Sequence, residues 1–70
     1  MPYPSNIELP PSVRRHLPPS AQDIYRHAFN DAWNTYADHQ RREEIAHRVA
    51  WTAVKRKFHK GHDDYWELNR

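Results

Sequence analysis

The chain has 70 residues, enough for one domain and one apolar core. It has no cysteine, which excludes a disulfide framework and a thiolate zinc site. Eleven Lys and Arg against nine Asp and Glu leave a net charge of +2, too small to imply nucleic-acid binding by itself, and six histidines make that charge responsive to mild acid.

No run of about 18 apolar residues occurs, so no membrane-spanning helix is expected. The N-terminal stretch has no charged region leading into an apolar one, so no secretory signal is expected either. A cytoplasmic protein is the resulting expectation. Three Trp, four Tyr and two Phe supply the bulk for a core.

Pro2, Pro4, Pro10 and Pro11 make residues 1–11 an extended or turning arm, because proline removes backbone donors and fixes φ. Ile7 and Leu9 alternate with Asn6 and Glu8 in a faint strand pattern. Pro10 and Pro11 suit the first turn of a short helix to about Leu17, with Val13 and Leu17 on one face, and Pro18 and Pro19 end it. The next helix is marked by Ser20 and Asp23, a near capping box, and by apolar residues at Ala21, Ile24, Tyr25, Ala28, Phe29, Ala32, Trp33 and Tyr36. Asp23, His27 and Asp31 on its polar face read as a ladder of surface ion pairs.

After a polar break from about Ala37 to Arg42, a third helix is predicted from Arg42 to Lys60. Glu43 and Glu44 favour its start, and Arg56, Lys57, His59 and Lys60 favour its end. Gly61, the only glycine, is expected as its left-handed C-cap. Ile45, Ala46, Val49, Ala50, Trp51, Ala53, Val54 and Phe58 spread so widely around this helix that it should be central, packed against the second helix and both termini. Tyr65, Trp66 and Leu68 predict a tail that folds back onto the N-terminal arm. The fold expected is mostly α: one compact domain, residues 1–70, of about three helices, with a small two-stranded sheet made by the N- and C-terminal arms. Trp33, Phe29, Ile24, Val49, Ala53 and Val54 are its expected core.

Three stretches resemble the ChaB family. They are the Leu9-Pro10 turn repeated as Leu17-Pro18; Ala21-Gln22-Asp23-Ile24-Tyr25 continuing through Ala28-Phe29-Asn30, Ala32-Trp33 and Tyr36; and Glu44, Ala46-His47, Ala50-Trp51, Ala53-Val54-Lys55, Lys60-Gly61 and Trp66. The connection near Asp38–Arg42 is shorter than the family's. The resemblance implies a compact helical domain with a small sheet, and a role in regulating a cation/proton antiporter. It implies no catalytic residue and no cofactor.

The residues themselves offer few chemical sites. His59 and His62 precede Asp63 and Asp64, a group that could ligate a divalent metal, but the simpler reading is a solvated helix end. No nucleophile or glycine-rich loop accompanies the acidic and histidine residues, so no enzyme is expected. Arg41, Arg48 and Lys55 are seven apart, about 20° apart on a helix, with Arg56 and His59 close by on the wheel. This basic strip is the candidate partner-binding face, set against the plainer reading of a solvated charged surface. The expected partner is another protein, a cation antiporter or its cytoplasmic loops; the alternative is a small nucleic-acid-associated protein using the same strip. No metal, cofactor or catalytic residue is assigned.

Overall fold

Prolines keep residues 2–5 out of regular structure, and among the described residues a single 3-10 turn, Asn6–Glu8, precedes the first helix. A computed structural model describes residues 2–69. Helix α1 (Pro11–Arg14) is one turn long and begins on proline, whose missing N–H has no intrahelical partner to lose there. The Leu17 N–H still reaches the Val13 carbonyl at 3.1 Å, so Val13 and Leu17 are buried together.

Helix α2 (Pro19–Thr35) starts one residue before Ser20, and no side chain caps it. The expected capping box is therefore not made. Gln22 turns back instead and donates from Nε2 to the Leu17 carbonyl at 2.8 Å, fastening the α1–α2 corner. Along α2, Ala21, Tyr25, Phe29 and Ala32 are buried, as the helical periodicity predicts. On the polar face, Asp23 pairs with Arg26 at 3.8 Å and accepts from Asn6 Nδ2 at 2.6 Å, rather than joining a ladder with His27 and Asp31.

Helix α3 (Arg42–Lys55) packs on α2 through Ala46, Ala50 and Val54. These small side chains leave room for Tyr25 and Phe29, both fully buried. Arg42 ties the start of α3 to the end of α2: its Nε donates to the Trp33 carbonyl at 2.7 Å, and its guanidinium lies 3.9 Å from the Trp33 ring centre. The expected core holds for Phe29 and Val54, while Ile24, Trp33 and Ala53 are half-buried. Val49 is exposed, at 36%. Val49 and Trp51 flank Ala50 on opposite sides, about 100° away each. A hairpin covers the Trp51 side only.

That hairpin corrects three expectations. Helix α3 stops at Lys55, and residues 58–60 form a strand instead of its last turn. Strand β1 (Phe58–Lys60) pairs antiparallel with β2 (Trp66–Leu68), with Phe58 opposite Leu68 and Lys60 opposite Trp66. The small sheet is present and the tail supplies one strand of it, but the other strand is the segment after α3, not the N-terminal arm. Gly61 therefore caps no helix, and its φ is not positive. It opens the hairpin loop, its N–H donating to the Tyr65 carbonyl at 2.9 Å, while Asp64 takes the left-handed position at φ 63°.

The N-terminal arm packs on α2. The Asn30 amide clamps both backbone groups of Tyr3, accepting its N–H at 2.8 Å and donating to its carbonyl at 2.9 Å. The Tyr3 ring lies 4.8 Å from that of Phe29. Asn6 accepts from Arg26 Nε at 2.8 Å. Leu9, Val13, Leu17 and Phe58 complete the core.

Candidate partner-binding face

Helical spacing puts Arg48, Lys55 and Arg56 on the solvent side of α3, and all are exposed. They do not form one plain strip. Arg48 and Arg56 border a shallow recess with Val49, Thr52 and Ala53, and no carboxylate lines it. Lys55, about 20° from Arg48 around the helix, borders a second recess instead. Arg41 is the residue before α3 and pairs with Glu44 at 3.8 Å, so its charge is partly offset. His59 lies on β1, off the helix, where its Nδ1 donates to Asn69 Oδ1 at 2.7 Å.

The second recess has a volume of about 320 Å³ and is built from three residue pairs. Ser12 and His16 come from α1 and the turn after it, and Trp51 and Lys55 lie one turn apart on α3. Lys60 and Trp66 face each other across the hairpin. Two backbone-directed bonds fix the walls. The Trp66 N–H donates to the His16 carbonyl at 2.8 Å. His16 Nδ1 lies 3.0 Å from the Asp64 carbonyl oxygen, which can only accept, so Nδ1 carries the proton. The two indoles meet at 5.3 Å between ring centres.

One turn before Trp51 on α3, His47 meets the core. Its Nδ1 is hydrogen-bonded to the Tyr25 hydroxyl, its ring lies 4.7 Å from Phe29, and its Nε2 is 3.9 Å from Glu43. Burial pushes the Tyr25 phenol well above the ordinary tyrosine value, so the hydroxyl keeps its proton and can donate to Nδ1 when that nitrogen is bare. Burial also lowers the His47 pKa, opposed by the nearby Glu43 carboxylate.

Sequence reasoning found the basic residues of α3 but missed Ser12, His16, Lys60 and Trp66 as neighbours of Lys55. It also missed His47 as a half-buried hydrogen-bonding group. The signal for His47 was its place beside Ala46, at the edge of the buried stripe. Of the histidine and acidic residues near Gly61, Asp64 pairs with Lys60 at 3.4 Å. Among the described residues, no three His, Asp or Glu side chains gather around one point as cation ligands, and no helix is long and apolar enough to cross a membrane.

The ChaB family model matches residues 9–68, spanning all three helices and both strands. The chain belongs to the ChaB family. ChaB relatives in Escherichia coli K12 and Shigella flexneri, each named "Putative cation transport regulator ChaB", are 51% identical to it over 94% of this chain and 95% of their own length. A solved ChaB structure, "NMR solution structure of the putative cation transport regulator ChaB", superposes with a TM-score of 0.87 at 48% identity, covering 99% of this chain and 100% of that one. The relatives carry that name, and the solved ChaB structure has the fold described above.

Proposed function

We propose that this ChaB-family protein is a non-enzymatic cytoplasmic regulator that works by binding another protein, a cation antiporter or its cytoplasmic loops. The proposed contact face comprises Arg41, Arg48, Lys55, Arg56 and His59. What carries the reading is the exposure of Arg48, Lys55 and Arg56 on the side of α3 turned away from α2, where they have no part in the core. Lys and Arg can lay their stems on the helix while their charged heads stay in water, available to an acidic partner. The relatives' name supplies the link to cation transport. The nucleic-acid alternative gains no support, because Glu44 offsets Arg41 and His59 stands off the helix, leaving a short basic patch rather than a track for successive phosphates.

The test is capture of the purified, detergent-solubilised cation/proton antiporter from the same cell. Reversing Arg48→Glu and Lys55→Glu together should abolish capture while circular dichroism and Tm stay near wild type. Capture of the transporter by the double variant at the wild-type level would show that this face is only a solvated surface.

A further inference from the structure

The recess between α1, α3 and the hairpin has features that a solvated helix face does not require. Its floor and walls carry Trp51 and Trp66, two large apolar side chains left half-buried. Its rim carries Lys55 and Lys60, and no carboxylate is among the lining residues. The whole chain is nearly neutral at +2, so this concentration of positive charge is local. Asp64 pairs with Lys60 at 3.4 Å with both side chains well exposed, and such a pair is easily exchanged. The walls are tied in place by the Trp66–His16 and His16–Asp64 backbone-directed bonds, so little ordering remains for a ligand to impose.

We propose that this recess takes one aromatic or branched aliphatic side chain of an acidic peptide segment, seated against Trp51 and Trp66, with its flanking carboxylates on Lys55 and Lys60. This rests on the reading above that the protein acts by binding a protein partner, and it names the chemistry of the segment bound. The charge complementarity selects an acidic ligand. The recess, about 320 Å³, suits a single protruding side chain, which a flat bilayer surface does not present. Two lysines at one point offer no run of contacts to a nucleic-acid backbone. An aromatic anchor in an apolar pocket with a charged rim is the usual arrangement of a localised protein contact.

The experiment titrates the full-length, isotope-labelled chain with peptides of the form Glu-Asp-X-Asp-Glu, in which X is Phe, Leu or Ser, and follows backbone and indole N–H resonances. Saturable shifts centred on His16, Trp51, Lys55, Lys60 and Trp66 are expected for Phe or Leu. Binding should weaken at least about tenfold for Ser, and by a similar factor in a Lys55→Glu, Lys60→Glu variant, each about 1.4 kcal/mol. Both lysines are exposed, and the variant's unperturbed spectrum away from the recess would verify its fold. The proposal is overturned if no peptide gives saturable shifts, or if the shifts centre elsewhere. It is equally overturned if oligo-dT or vesicles of phosphatidylcholine and phosphatidylglycerol occupy the recess more tightly than any peptide. Transporter capture is scored separately. A Lys55→Glu, Lys60→Glu variant that still captures the antiporter, beside peptides that do not bind, sinks the recess and leaves protein binding standing. A wild-type chain that captures no transporter, beside peptides that do bind, sinks the antiporter assignment alone.

Discussion

At the scale of single residues, His47 is the side chain whose surroundings matter most. Tyr25 and Phe29 on α2 face it, Glu43 stands one turn earlier on its own helix, and the Tyr3 phenol is raised above its ordinary pKa by burial first and by the Glu43 carboxylate second. Neutral His47 accepts from the Tyr25 hydroxyl. Protonated His47 would have to donate there, so the Tyr25 oxygen would accept and the hydroxyl's own proton would lose its described acceptor. Its pKa in the folded chain lies below the ordinary histidine value, so as pH falls the unfolded chain takes up this proton first. The contribution to stability is fully present above about pH 6.5 and is lost as pH falls from there towards the folded-state pKa. Urea unfolding between about pH 5 and 8 should show that loss, and His47→Gln should flatten it. Identical pH slopes in the two proteins would show that His47 is not responsible.

Among the elements, the hairpin is the least self-sufficient. A two-stranded ribbon is marginal alone in water, and this one is held by Phe58 in the core and by Trp66 against Trp51. Gly61 is required here for space rather than for an unusual backbone angle. A β-carbon at that position would stand 2.7 Å from the Tyr65 carbonyl oxygen and would also collide with the Glu67 carboxylate. The side chain of Glu67 can swing aside, but the Tyr65 carbonyl is part of the hairpin backbone and accepts the Gly61 N–H. Gly61→Ala should therefore cost about 1–3 kcal/mol, as overpacking does. Amide exchange should report faster opening of residues 58–60 and 66–68 than of α2. Wild-type stability in this variant would mean that the loop can shift freely.

For the whole molecule, the core is continuous from Leu9 through Phe58, and the hairpin closes one side of α3 over it. Removing the residues after Asp63 deletes β2 and uncovers Trp51. It also frees the His16 carbonyl from the Trp66 N–H. The loss should reach every element, because a chain of this size has one core and little stability in reserve. We expect a single thermal transition lowered by at least about 10 °C, using the 4–8 °C per kcal/mol typical of a domain this small. An unchanged Tm would show that the tail contributes nothing to the fold.

The two long helices were legible in the sequence because each carries its own apolar period, and the prolines that bound α1 and open α2 act through local geometry alone. Phe29 and Val54 could be placed in the core for the same reason. The fate of residues 58–60 could not be read that way. Phe58 follows Val54 at helical spacing, and only pairing with residues 66–68 makes the segment a strand. Val49 and Trp51 were equivalent on the helical wheel until the hairpin covered one and left the other exposed. The basic residues of α3 were visible at their seven-residue spacing, but the recess was not. Its three pairs lie at 12 and 16, 51 and 55, and 60 and 66, and no local window contains them together. Sequence period determines which face of a helix is apolar, whereas the packing of distant segments decides which part of that face stays open to a partner.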